Sequence, residues 1–326
     1  MILKKKLSML FSLVVLIITT AHSDIVINDK LSITGFIDMS YVSKDEETKE
    51  RTDAMNFDQF ELDFMFKFDE NFSGQVDLEA SGSGQADTDS DADIEQAFVN
   101  YAFGSSGVSI TAGRFLSYSG FETEEPTGLF QYSGTGYAPT FYGYYQDGVH
   151  AQYSSKFFDI GLSLVDEVFV GGSGNANDLG LEFMAAIKPV EGLTLKAFYM
   201  TDKGHGGTFE DEVKLDFWAM YSIGGFTFAG EYTTADDLGG TKDVEATGML
   251  LMANYAFDRY GITLRYSAYE IENAAGTKTT DNSAVTIAPS MAVNDYLSLI
   301  LEYRMDDNNN IGNDIDTIAL EALVVF

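Results

Sequence analysis

The chain has no cysteine, one tryptophan, 4 prolines and 3 histidines in 326 residues. Without cysteine there can be no disulfide staple, no thiol nucleophile and no thiolate metal site. Basic residues are also scarce, 19 Lys and Arg against 51 Asp and Glu, for a net charge of -32. A surface of that sign repels nucleic acid, which is excluded as a partner. Beyond the first twenty residues, no window holds the ~18 uncharged apolar residues that mark a spanning helix.

What is present begins with Lys4, Lys5 and Lys6, an uncharged apolar stretch from Leu7 to Thr20, and Ala21-His22-Ser23. A basic start, a short apolar stretch and small residues before a cleavage point form a secretory signal. Residues 1–23 are therefore expected to be removed, leaving 24–326 as one domain. That domain is rich in Phe (25) and Tyr (18) and carries 31 Gly. From residue 31 onward, segments of roughly ten residues alternate apolar and polar, the period of a strand with two unlike faces. Val213, Leu215, Phe217, Ala219 and Tyr221 share one face, opposite Lys214, Asp216, Trp218 and Met220. Ile262, Leu264, Tyr266 and Ala268 oppose Thr263, Arg265, Ser267 and Tyr269, and Leu297, Leu299, Leu301, Tyr303 and Met305 oppose Ser298, Ile300, Glu302 and Arg304.

Two classes of connection alternate along the chain. Tight turns are expected near 69–71, 104–107, 156–157, 189–192, 224–225, 258–261 and 294–295. Long polar loops are expected near 43–55, 81–92, 115–146, 169–178, 203–210, 235–243, 272–281 and 306–314. Short periplasmic turns alternating with longer external loops are the habit of outer-membrane barrels. The expected fold is all-β, a transmembrane antiparallel β-barrel of about 16 strands (about 14–18), located in the outer membrane of a Gram-negative-type cell. Outer-membrane lipid and lipopolysaccharide are then its surroundings. In the last segment Ile318, Leu320, Ala322, Val324 and Phe326 share a face. This ending resembles the C-terminal signature read by the outer-membrane insertion machinery, with Phe326 as the terminal aromatic and Val324 where that pattern often carries Tyr.

The connection 115–146 reads FLSYSGFETEEPTGLFQYSGTGYAPTFYGYYQ and follows the fifth expected strand. It is too aromatic for a solvated external loop, and long connections in compact domains usually carry function. Its position and length resemble the constriction loop of general Gram-negative porins. From Gly113-Arg114-Phe115 through Gly120-Phe121-Glu122 and Gln131-Tyr132-Ser133 to Asp147-Gly148-Val149, the wording also resembles the OmpL-like β-barrel porin group. The resemblance implies a loop folded into the barrel, a passage for small hydrophilic solutes, and a homotrimer.

On that implication Glu122, Glu124 and Glu125 bring negative charge to the narrowest point, with Lys196, Lys214, Arg265 and Arg304 as candidate opposing bases and Arg114 as a further constriction candidate. Alternation also turns Glu61, Asp63, Asp77, Glu79, Glu95, Glu182, Asp216, Glu231, Glu302 and Glu321 inward, together with Lys67 and Lys188. Rings of carboxylates favour cations, and acids facing bases across a narrow zone orient polar solutes. The same inward charges would also serve simply to hydrate a polar interior.

No catalytic residue, cofactor or metal site is expected. Asp87, Asp89, Asp91 and Asp93 alternate, but the twelve-residue calcium loop needs Gly sixth and Glu twelfth, where this chain has Ala92 and Phe98. His150, Gln152 and Ser154 share a face, yet His150 to Ser154 spans roughly 13 Å along a strand, beyond the reach of a nucleophile–base pair. Passive diffusion with a cation preference is the leading expectation. A barrel plugged by its own loop, or a sugar channel with Tyr132, Tyr137, Phe141, Tyr142, Tyr144 and Tyr145 as a stacking track, are the alternatives.

Overall fold

The computed structural model describes residues 25–81, 93–122, 124–169, 179–203, 210–309 and 313–326. The expected export signal and the acidic run from Asp87 to Asp91 lie outside them, as do parts of five of the expected long loops. In chain order the strands are β1 (Ile25–Asn28), β2 (Leu31–Glu46), β3 (Thr52–Lys67), β4 (Phe72–Ser81), β5 (Asp93–Ala102) and β6 (Val108–Leu116). After the long loop come β7 (Tyr145–Ser154), β8 (Phe158–Val165), β9 (Gly180–Ile187), β10 (Leu193–Asp202), β11 (Glu212–Ile223) and β12 (Phe226–Asp236). The set ends with β13 (Glu245–Phe257), β14 (Tyr260–Glu272), β15 (Lys278–Ala292), β16 (Leu297–Asn308) and β17 (Ile315–Val325).

All belong to one 17-stranded sheet. Each strand from β2 to β17 pairs antiparallel with its neighbours in sequence, and β17 returns to β2 through a register running from Ile315↔Glu46 to Val325↔Phe36. The ring of sixteen is thereby closed, and no edge is left to expose unpaired backbone to hydrocarbon. Short β1 folds back on the start of β2 as a hairpin. The long loop follows β6, the fifth strand of the ring, as its sequence position implied.

Alternation is clearest in β8, where Phe158, Ile160, Leu162 and Leu164 are exposed while Asp159, Gly161, Ser163 and Val165 are buried. In β14 Tyr260, Ile262, Leu264 and Tyr266 point out, and Gly261, Thr263, Arg265 and Ser267 point in. An exposed apolar face and a buried polar one invert the soluble pattern, as a barrel solvated by lipid requires. At the end carrying the tight turns, outward rings pack against each other along the rim. Phe66, Phe68, Phe72, Tyr101 and Phe103 form one run, and Phe228, Phe226, Tyr255, Phe257 and Tyr260 another, with centroids 4.3 Å apart at Phe226–Tyr255. Such a girdle marks the membrane interface.

Two expected loops are half strand or more. Of 43–55, only 47–51 connects β2 to β3, with Lys44 still paired to Thr52. Of 272–281, only 273–277 lies between β14 and β15. Both hairpins run past the ~9–11 residues a spanning strand needs. Their polar tips keep ladder hydrogen bonds in water, so polarity there reports exposure and not loss of strand.

Leu264 tests the outward face because it is 51% exposed and midway along β14. Leu264→Arg should destabilise the folded barrel in lipid vesicles by about 2–4 kcal/mol, measured by equilibrium denaturation. An effect indistinguishable from zero would contradict its placement against hydrocarbon.

Candidate functional site: the lumen and its inner loop

The segment between β6 and β7 folds inward and crosses the barrel. It carries a 3-10 turn at Pro126–Gly128 and one helical turn at Ala138–Phe141. Half of the inner wall is built to receive it. β13 turns Ala246, Gly248, Leu250 and Met252 inward, and β12 adds Ala229 and Ala235. Tyr137, Phe141 and Tyr142 pack there in one buried cluster. A Cβ on Gly248 would sit 2.9 Å from the Phe141 ring, so only glycine leaves room for that ring. A second cluster joins Phe115 of β6 to Val165, Met184, Ala186, Phe198 and Met200 of β8–β10, with Tyr118 and Trp218 at its margin.

Polar bonds then fix the loop. The Glu231 carboxylate accepts from the Tyr137 and Tyr142 hydroxyls, each at 2.5 Å, and from the Phe121 amide at 2.6 Å. Asp216 accepts from the Gly120 amide at 2.8 Å, Glu302 from the Ser133 amide at 3.0 Å, and Glu182 from the Ser117 hydroxyl. Gly120 has φ 86°, and a Cβ there would meet the Tyr142 ring at 2.4 Å. Positive φ and lack of space therefore both demand glycine.

The strongest anchor is Arg265. Its side chain is fully buried, and it holds Glu122 at 2.8 and 3.1 Å, the Ser133 carbonyl at 2.6 Å and the Gly134 carbonyl at 3.2 Å. Gln131 donates to the same Glu122 carboxylate at 2.9 Å. A planar fork with several donors suits this combination of carboxylate and carbonyls.

The remaining candidate bases are placed differently. Arg304 donates to the Gly134 carbonyl at 2.7 Å but pairs with Asp306 at 2.6 Å. Lys214 is buried beside Glu212 of its own strand at 3.2 Å and under the Phe169 ring. Lys196 lies over Trp218, 4.9 Å from the ring centre. Arg114 pairs with Asp147 at 3.2 Å and Lys188 with Asp159 at 2.6 Å, while Lys67 is exposed at the turn end of β3. Of the four candidate opposing bases, Arg265 alone forms an ion pair with a loop acid among the described residues.

Glu124 and Glu125 reach the opposite, acidic wall. Glu125 accepts from Tyr145 and from Gln59 of β3, each at 3.1 Å. Glu61 faces Glu79 across β3 and β4, and Asp63 faces Asp77. Glu95 stands beside them where the β4–β5 register shifts. Enclosure by protein lifts the Glu125 carboxyl above the usual carboxylate range, with Tyr145 partly opposing the shift and Glu79 adding to it. Glu124 opens onto lumen water on one side yet is walled by protein on the others, and that enclosure, with Glu79 nearby, raises it too.

Asp38 and Asp58 are among the inward acids left unnamed by the sequence reading, as is Asp159 of β8. Asp38 of β2 is 4% exposed and faces Glu321 and Asp58 inside the barrel. Plain alternation through Phe36, Asp38 and Ser40 carries the signal for it. Asp58 accepts from Tyr132 at 3.4 Å and sits in a bulge of β3 opposite Asp38/Met39. Such an insertion flips the parity of everything before it, so no period reveals Asp58.

Loop and wall leave separate spaces. A cavity of about 500 Å³ lies toward the long-loop end between Tyr132, Ser133 and strands β2, β3, β16 and β17. Another, of about 700 Å³, lies between the loop and Phe169, Lys196 and Trp218. Of the six rings in the alternative stacking track, Tyr132 and Tyr144 line these cavities, while three others are enclosed. Tyr137 and Phe141 are fully buried and Tyr142 nearly so, with both hydroxyls spent on Glu231. His150 contacts Ser163 at 3.1 Å and Gln152 at 3.2 Å, but Ser163 is wholly buried and presents no face to a substrate.

A family model, described as Putative beta-barrel porin-2, OmpL-like, matches residues 30–326. No curated protein sequence matches the chain. Among solved structures it is similar to OmpF of Salmonella typhi in complex with daunomycin, at 17% identity and TM-score 0.71, covering 91% of this chain and 97% of that one. It is also similar to an anion-selective porin from Comamonas acidovorans, at 12% identity and TM-score 0.68, covering 91% and 99%. OmpT of Vibrio cholerae, in vitro folded and in trimer form, matches at 13% identity and TM-score 0.67, covering 91% and 100%.

Removing Arg265 tests how the loop is held. Arg265→Ala strands Glu122 as a buried charge, a loss of about 3–5 kcal/mol. Limited proteolysis in detergent should then cut between Ser117 and Tyr144 while the rest of the barrel stays resistant. Arg265→Lys should rescue poorly, lacking the fork. Wild-type resistance in both variants would show that the loop is held by other contacts.

Proposed function

Because the chain belongs to the OmpL-like β-barrel porin family, an outer-membrane channel family, we propose that it passes small hydrophilic solutes and ions by diffusion, with a preference for cations. No bond is made or broken in this role, and no enzyme activity is assigned. The observation that carries the preference is the imbalance of charge around the passage. Arg265, Arg304, Lys214, Arg114 and Lys188 each have an acidic partner. Asp38, Glu61, Asp63, Asp77, Glu95 and Glu321 have no ion pair among the described residues. An excess of carboxylates along a narrow passage raises local cation concentration and repels anions. The fold does not set this sign, since a structure of the same fold is described as anion-selective.

Residues 1–23 act as the export signal in this reading, Phe326 engages the insertion machinery, and the protein assembles as a homotrimer in lipid and lipopolysaccharide. A second reading, a barrel plugged by its loop, is favoured by one feature. The loop bonds to β9, β11, β12, β14 and β16 and also to β2 and β3 on the far side. Swelling of liposomes in sugars of graded size separates the two, because a plug gives no swelling and a pore gives a size cutoff.

Zero-current potentials across planar bilayers in a KCl gradient test the preference. Wild type should be cation-selective at neutral pH, and Glu122, Glu124 and Glu125 changed together to Gln should lower the permeability ratio several-fold. A carboxyl with a raised pKa gains its proton at a higher pH than usual. Cation preference should therefore begin to fall, on acidification, above the ordinary carboxylate range. Anion selectivity in the wild type, or a triple variant with unchanged potential, would overturn the assignment.

A further inference from the structure

Glu61 and Asp63 on β3 face Glu79 and Asp77 on β4 in direct cross-strand register. Like charges directly opposite one another are destabilising on a sheet. None of the ion pairs among the described residues reaches Glu61, Asp63 or Asp77. One carboxylate oxygen of each of these three lies within 4.8 Å of the other two. That spread suits a single calcium ion, whose oxygen ligands sit about 2.3–2.6 Å from the metal and so up to about twice that from each other.

A second observation points the same way. Asp77 is only 1% exposed, and its Oδ1 has no hydrogen-bond partner. Its Oδ2 accepts from Gln75 at 2.9 Å and from Gln96 at 2.6 Å. The two amides therefore hold the carboxylate in place while leaving its other oxygen without a donor. Asp63 Oδ1 is buried and unpartnered as well. An isolated buried carboxylate oxygen is expensive unless a donor or a metal satisfies it.

We propose that Glu61, Asp63 and Asp77 form a luminal calcium site on the β3–β4 wall. The donor set is all oxygen and anionic, which selects a hard divalent cation over a transition metal. Calcium is favoured over magnesium because it accepts irregular oxygen geometry, whereas magnesium demands a tight octahedron. The site also meets the inner loop. Glu61 shares a second group with Glu95 and Glu125, again within 4.8 Å. Occupancy therefore removes negative charge from the wall beside Glu125 of the loop. With three carboxylates on a barrel wall, the expected affinity is that of extracellular calcium modules, about 0.1–1 mM.

The test uses refolded full-length barrel in detergent, stripped with EDTA and titrated with calcium chloride by calorimetry. One saturable site is expected, weakened about tenfold or more in Asp63→Asn/Asp77→Asn as ligand charge is lost. Calcium should raise the apparent unfolding temperature of the wild type by a few degrees, and that of this variant by less. Asp87→Asn/Asp89→Asn/Asp91→Asn, in the acidic run before β5, should bind as wild type does. If the double variant does not refold, Glu61→Gln alone supplies the comparison. No saturable binding up to about 10 mM, equal binding by the luminal variant, or loss of binding in the Asp87 variant would each overturn the site. Binding is read without any current, so its failure is distinct from a failure of the diffusion role.

Discussion

Closure of the sheet is the constraint on which everything else depends. Hydrocarbon offers no partner to a backbone N–H or C=O, so a spanning sheet must satisfy both edges by joining them. Here β17 meets β2, and the last residue completes the seam. The Phe326 amide donates to the Gly35 carbonyl at 3.0 Å, and the Gly35 amide to the Phe326 carbonyl at 2.9 Å. The Thr34 hydroxyl adds a bond to the same carbonyl at 2.9 Å. Sixteen strands joined this way enclose more space than their own side chains fill, and that surplus admits the loop.

The loop divides the interior into unlike halves. Strands β8–β13 give it an apolar seat, where Ala and Gly make room for Tyr137, Phe141 and Tyr142. A few buried charges, Glu231, Asp216 and the Arg265–Glu122 pair, fix its height and register. The other half, from β16 through β17 and β2 to β5, keeps its carboxylates, most of them without an ion pair among the described residues. Packing on one side therefore leaves acidity on the other, and the proposed selectivity and the proposed calcium site both follow from that division.

Strand periodicity made much of this legible in the sequence. Every strand of the ring that alternates cleanly, such as β8 and β14, could be read with its faces correctly assigned, as could the tight turns. β13 could not be assigned that way. Ala246, Gly248, Leu250 and Met252 face in while Met249, Leu251, Ala253 and Tyr255 face out, and both faces are apolar. A strand apolar on both sides of a water-filled barrel implies an internal cover, a signal readable only once the fold is known. Partners were less legible than faces. Alternation turns Arg265 inward, but its union with Glu122 joins residues 143 positions apart. Alternation turns Lys214 and Arg304 inward equally, yet acids two positions away on their own strands pair with them. The bulge at Asp58 and the polar extensions of β2, β3, β14 and β15 defeated periodicity for local reasons, an inserted residue and a ladder that continues into water.

Single-channel recording of the purified wild-type protein in planar bilayers addresses the central claim most directly. A water-filled barrel narrowed but not sealed by its loop predicts discrete, ohmic current steps that scale with salt concentration. Folded, inserted protein that yields no steps at any salt concentration would contradict it, and would leave the loop as a plug.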